Sequence, residues 1–208
     1  MFSSGNEEMQ SFNHSETSSS NDHTIGINGD QIIHIPDDLK RFKDLTTNKT
    51  IVYGRKTLET FPDKKPLPNR NNIIISKTMN KFDALKYEAN TLIVNDINEI
   101  IMLPKSIRSN DIFIIGGASI YEALFPWIDH IYMTSLYGKM EDYFHTIHGN
   151  NAHIDSYALF PDFSTYNNIY KCGISNADFT LINSEEKIVK CKELVDTIKI
   201  SYNEYVRI

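Results

Sequence analysis

Short apolar runs recur between residues 50 and 136, each leading into a turn or a helix-opening signal, and this alternation leaves few folds open. Thr50-Ile51-Val52-Tyr53 ends at Gly54 and runs into Arg55-Lys56-Thr57. Asn72-Ile73-Ile74-Ile75-Ser76 and Thr91-Leu92-Ile93-Val94 follow, the second before a helix predicted over 96–103. A strand over 111–115 passes through Gly116-Gly117 into a helix over 118–125, and 130–136 reads as another strand. Runs that are apolar at every position suit strands buried on both faces. Strands alternating with helices build an α/β domain around a mainly parallel sheet. The final stretch, 198–208, alternates Ile198, Ile200 and Tyr202 with Lys199, Ser201 and Asn203, which predicts one more strand.

The 208 residues suffice for one domain with a margin. Residues 1–24 hold seven serines and only Met1, Phe2, Met9 and Phe12 as large apolar side chains. We expect 1–14 to be a disordered or atypical segment and 15–208 a single domain, with an enlarged polar loop at about 137–156. Lys and Arg number 21 against 27 Asp and Glu, which argues against nucleic acid as a primary partner. Seven of the acids precede the first basic residue, Lys40, leaving 20 acids against 21 bases in the rest. A body so nearly neutral can still hold a local basic site for a small anion. No run is long enough to span a bilayer, and the N-terminus has no basic-then-apolar leader, so a cytoplasmic protein without a membrane partner is expected. Cys172 and Cys191 are read as free thiols. His145, His148 and His153 are read as solvated loop residues, and no metal site is expected.

Four segments carry chemistry. Pro36-Asp37-Asp38 opens a helix with acids in its first turn. Residues four apart share a helix face, so Asp38 lies beneath Phe42 and beside Leu39, while Asp37 lines up with Arg41 as an exposed partner. A carboxylate on an apolar face is paired, raised in pKa or used, and helix capping fits Asp38 as well as function does. Gly54-Arg55-Lys56-Thr57 sets two cations and a hydroxyl at a strand–helix turn, which favours a phosphate or solvated surface residues. Gly116-Gly117 between a strand and a helix permits close backbone approach, or is simply a tight turn; it does not form GxGxxG. Lys64-Lys65-Pro66-Leu67-Pro68-Asn69-Arg70 presents a guanidinium from a proline-stiffened loop.

In order and spacing these segments resemble dihydrofolate reductase, over about 25–135 strongly, then weakly at Leu159-Phe160-Pro161 and in the last strand. The resemblance implies a three-layer fold: a central mainly parallel sheet with an antiparallel C-terminal strand, and helices on both faces. It also implies reduction of dihydrofolate to tetrahydrofolate by NADPH, binding of antifolates, and a monomer. By the family's pattern Asp38 is the catalytic acid, supported by Thr134 on a strand. Ile33, Ile35, Leu39, Phe42, Phe61 and Ile115 would line the substrate pocket, and Arg70 would clamp the glutamate carboxylate with Lys65 nearby. For the cofactor, the pattern selects Gly54, Arg55, Lys56 and Thr57 with Gly116, Gly117, Ala118, Ser119, Ile120 and Tyr121 at two pyrophosphate turns, the Gly-Gly bond being cis in the family. Ser76 and Lys77 match the adenosine 2′-phosphate positions, and 24–30, with Ile25, Ile27, Gly29 and Asp30, matches the mobile loop over nicotinamide.

The chain departs from the family in three places. Where an apolar first strand is expected it reads Ser15-Glu16-Thr17-Ser18-Ser19-Ser20, so either upstream residues such as Met9 to Phe12 supply the strand or the sheet lacks it. Ile33 stands for the loop tryptophan, and Tyr157 for the acid three places before Phe160-Pro161, with Asp155 the nearest carboxylate. These departures keep two alternatives open: an impaired NADPH- or folate-binding homologue, and another pterin or pyrimidine reductase of the same fold.

Overall fold

The strand β3 (Thr50–Gly54) shows why the apolar runs become a sheet: Ile51, Val52 and Tyr53 are each fully buried, so both faces of the strand are covered. The computed structural model describes residues 7–12, 23–102, 112–161 and 179–208, and the chain divides into two compact units. In the first unit β3 lies parallel between β4 (Asn71–Ile75) and β6 (Ile112–Ile114). β5 (Thr91–Val94) pairs parallel beyond β4. Beyond β6 lies β1 (Glu7–Phe12), parallel, with Glu7 opposite Ile112 and Met9 opposite Ile114. The upstream residues Glu7–Phe12 thus supply a strand of this sheet, as one of the two alternatives read from the sequence has it. Of the expected disordered or atypical segment 1–14, residues 7–12 form this strand, while 15–20 lie outside the described residues. The helices of this unit are α2 (Arg55–Thr60), α3 (Asn98–Ile101) and α4 (Ala118–Leu124).

The second unit holds β7 (His130–Leu136), β10 (Thr197–Arg207) and β9 (Phe179–Lys190) in that order, β9 and β10 antiparallel. The alternation read in the last strand holds for Ile198, Lys199 and Ile200, but it fails beyond them: Ser201 and Asn203 are buried along with Tyr202, their side chains joined by a hydrogen bond at 3.0 Å. The first helix, α1 (Pro36–Thr46), begins here with its acids in the first turn. A core of Ile27, Ile33, Ile35, Phe144, Ile200 and Tyr202, among others, packs beneath these elements.

Two further expectations are corrected in this unit. The stretch 137–156 is not an open loop, because Met140–His148 forms α5, with Met140 and Phe144 buried one turn apart and Tyr143 and Ile147 packed beside them. His145 and His148 are thus helical residues against the Phe144 ring, not loop residues. The segment 24–30 is not a plain loop either. β2 (Thr24–Ile27) pairs antiparallel with β8 (Tyr157–Leu159), and Asn28 ties the turn that follows. The Asn28 Oδ1 accepts from the amides of Asp155 at 2.7 Å and Ser156 at 3.1 Å, and its Nδ2 donates to the His153 carbonyl at 3.0 Å. Gly26 is required there, since a Cβ would lie 2.6 Å from the Asp30 carbonyl oxygen.

One buried polar residue of the first unit shapes the loop before β4. Asn72 is 1% exposed; its Oδ1 accepts from the Tyr53 hydroxyl at 2.9 Å and the Leu67 amide at 3.1 Å. Its Nδ2 donates to the carbonyls of Leu67 at 3.0 Å and Arg70 at 3.2 Å. Asn72→Leu leaves these groups without partners in a site closed to water, and should lower stability by about 2–3 kcal/mol. Urea unfolding checks this, and an unchanged midpoint would show that the network contributes nothing net.

Candidate active site

Asp38 is fully buried in the first turn of α1, where its amide and that of Leu39 both donate to the Ile35 carbonyl. The Thr134 hydroxyl, fully buried on β7, donates to Asp38 Oδ1. Asp38 Oδ2 is buried with no partner among the described residues. Burial pushes the carboxyl up from 3.8 to about 6, while the Thr134 hydrogen bond and the Arg41 cation act in the opposite direction. A carboxylate with one oxygen anchored and the other open is prepared for donors that approach from a ligand.

Around it, the predicted pocket residues separate. Ile33 and Ile35 are buried in the core of the second unit, at 3% and 1% exposure, so Ile33 packs where the family pattern has an indole. Leu39 is exposed and Phe42 half-buried, leaving the outer flank of α1 open. Arg41 was expected to pair outward with Asp37. Instead its guanidinium lies over the rings of Tyr132 and Tyr202, and Asp37 is exposed. Sequence reasoning missed this cluster. The i, i+3 spacing of Asp38 and Arg41, and the shared strand face of Tyr132 and Thr134, were the signals that could have found it.

In the first unit the two glycine turns come together. The Gly54 amide donates to the Gly116 carbonyl at 2.8 Å, and the Gly116–Gly117 bond is cis. Gly116 has φ +97, and a Cβ there would lie 2.8 Å from the Tyr121 ring; one on Gly117 would lie 3.7 Å from Thr57 Oγ1. Only glycine fits the first position, and the second keeps the space beside Thr57 open. Lys56, Lys77 and Ser119 are exposed, Ala118 and Ile115 half-buried, and Ile120 and Tyr121 buried. Arg55 is engaged by Glu59 one turn on. Ser76 is 6% exposed, and its hydroxyl oxygen accepts from the amides of Met79 at 3.1 Å and Thr78 at 3.3 Å, so it shapes its own turn.

Phe61, expected in the pocket, is half-buried with its ring 5.0 Å from that of Tyr53. The Arg70 Nε donates to Thr46 Oγ1 and its Nη1 to the Pro68 carbonyl, both at 2.8 Å, which fixes the plane of the guanidinium; Lys65 is exposed. In the second unit Ile25 is half-buried, Ile27 buried, and Gly29 and Asp30 exposed. Tyr157 donates its hydroxyl to Glu141, and Asp155 lies 3.4 Å from His153 at the surface.

The dihydrofolate reductase family model matches residues 17–157, well over half of the chain, and the chain belongs to that family. It is 34% identical over 119 residues to the dihydrofolate reductase of Bacillus subtilis, covering 56% of this chain and 64% of that protein. A dihydrofolate reductase of Staphylococcus aureus is 34% identical over 115 residues, covering 55% and 65%. The chain thus spans just under two thirds of the length of these curated relatives. Its fold is similar to that of a dihydrofolate reductase from Enterococcus faecalis solved with NADP(H) and RAB-propyl, with TM-score 0.64 and 22% identity over 98% of this chain and 96% of that one. The three-layer α/β arrangement expected from the sequence is therefore the fold observed. Among the described residues no helix is long and apolar enough to cross a membrane.

The raised pKa of Asp38 makes a prediction about stability. A carboxyl whose pKa rises on folding favours the folded state while protonated; that contribution is full below about pH 4 and is lost as pH rises through about 6. Above that range the buried charge costs about 3 kcal/mol. Asp38→Asn, neutral throughout, should be more stable than wild type near pH 8, with the gain vanishing towards pH 4. Denaturant midpoints across that range check it, and parallel curves would contradict it.

Proposed function

We propose that this chain reduces dihydrofolate to tetrahydrofolate with NADPH, as a monomeric cytoplasmic enzyme open to antifolates. The observation that carries the reading is the Asp38 carboxylate, removed from water with Oδ1 anchored by Thr134 and Oδ2 without a partner. The amidine edge of a pterin offers adjacent N–H donors that match two carboxylate oxygens, and at low dielectric such charge-assisted bonds are strong. Asp38 then orients the ring and favours a proton on the ring nitrogen beside the hydride acceptor. In the first unit the Arg70 guanidinium, its plane set by Thr46 and Pro68, suits a carboxylate.

The residues at the glycine turns fit a dinucleotide phosphate. Gly116 occupies a conformation closed to side chains, and Gly117 leaves the space beside Thr57 clear for phosphate oxygens. Lys56 and Lys77 are exposed cations of the same unit, in keeping with a phosphorylated cofactor. Ser76 supports that assignment less, since its hydroxyl is spent within its own turn. When bound, NADPH supplies the hydride; the protein's part is to hold the two reactants in line and exclude water.

The decisive assay is the fall in NADPH absorbance with dihydrofolate, expected to be blocked by methotrexate. Asp38→Asn should retain NADPH binding and lose turnover by about 100-fold or more; a rate like that of the wild type would remove Asp38 from the reaction. Arg70→Leu should raise KM for dihydrofolate about 10- to 100-fold with little change for NADPH. Equal loss for both ligands would assign Arg70 to the fold instead.

A further inference from the structure

Arg41 has an environment that packing alone does not explain. It follows Asp38 by three positions on α1, on the same side of the helix. Its guanidinium carbon lies 5.5 Å from the ring centroid of Tyr132 on β7 and 4.8 Å from that of Tyr202 on β10. Among the described residues its buried Nη1 has no hydrogen-bond partner, and no carboxylate closes a salt bridge with it. Arg41 is half-buried, and setting the desolvated side of its guanidinium, Nη1 included, against aromatic faces without a bonded anion is costly. An apolar side chain of similar volume would fill the place at less cost, so the charge itself calls for a reason.

We propose that Arg41 is a positioning residue for the reaction: its cation, stacked on Tyr132 and Tyr202, holds the buried Asp38 carboxylate ionised for the N–H groups of the substrate. The inference rests on the reading of Asp38 as the acid that binds substrate. A cation reaching Asp38 through space, without taking its oxygens, stabilises the anion and leaves Oδ2 open, which a direct salt bridge would not. The surroundings agree. Burial of Asp38 works against its charge, and only the Thr134 hydrogen bond and Arg41 oppose it.

The other groups that bear on this cluster come from every neighbouring element. Glu204 of β10 acts on Arg41 in favour of its charge. Asp37 of α1 and Glu185 of β9 act on the Tyr202 phenol, and Lys187 of β9 lies with Nζ 5.0 Å from the Tyr202 ring. The Tyr202 hydroxyl is buried without a partner among the described residues, and burial pushes its pKa up, so the ring stays neutral and serves Arg41 through its face. Removing Arg41 leaves the Thr134 hydrogen bond to oppose the desolvation of Asp38.

The test uses the full chain labelled with 13C at the aspartate carboxyls, the Asp38 signal being assigned by its absence in Asp38→Asn. In Arg41→Met the titration midpoint of Asp38 should rise by about one pH unit or more. In Arg41→Lys, which keeps the charge, it should stay within about a few tenths of the wild-type value. The acid limb of kcat/KM for dihydrofolate should move upward with the NMR midpoint, a shift that loss of packing alone does not produce. Should Arg41→Met not fold, Arg41→Gln supplies the same comparison. A midpoint unmoved in an otherwise active enzyme overturns this inference alone. A wild type that turns over no dihydrofolate overturns the reading of the site, whatever Arg41 does to the Asp38 titration.

Discussion

A carboxylate held out of water with one oxygen paired and the other open is the condition on which the rest of the site depends. Asp38 gains its place from the first turn of α1, opened by Pro36, and its anchor from Thr134 on β7. Neither group alone makes a site. The helix gives direction and the strand gives one hydrogen bond, while burial makes each remaining interaction count for more than it would at the surface. A group kept in this state is costly to the fold, and functional sites are where proteins retain such costs.

Much of the architecture was legible because it rests on burial pattern. β3, β4 and β6 each carry three consecutive apolar residues, and that is the mark of strands covered on both faces. The bounds of β7 could be read to the residue. By contrast β9 carries Ser184, Glu185, Glu186 and Lys187 at its centre and is exposed along most of its length. It is a strand because β10 offers it a ladder of backbone partners, to which the Ser184 hydroxyl adds a side-chain bond, donating to Asn203 Oδ1 at 2.6 Å, and no single-segment pattern carries that information. α5 escaped notice because its polar composition outweighed the spacing of Met140 and Phe144. β1 was hidden by its polar setting, since only Met9 and Phe12 are large apolar residues there.

At the site, legibility divided in the same way. Local chemistry singled out Asp38, the glycine turns and the Arg70 loop as candidates only, and spacing set Asp38 rather than Asp37 on the apolar side of α1. The inward turn of Arg41 could not be read from α1 alone, because it depends on two aromatic rings supplied by β7 and β10. The departures from the family pattern also find local physical answers. Ile33 is absorbed into the apolar core. With Tyr157 in place of an acid, the side chain of Asn28 makes the bonds from the β2 turn to the backbone of 153–156.

The most direct test of the account is a crystal structure of the full chain with folate and NADP⁺ bound. The account predicts that the 2-amino group and ring nitrogen of the pterin donate to the Asp38 carboxylate, so that Oδ2 gains its partner while Thr134 keeps Oδ1. A pterin bound elsewhere, with Asp38 Oδ2 still alone in its buried site, would contradict the assignment on which everything else rests.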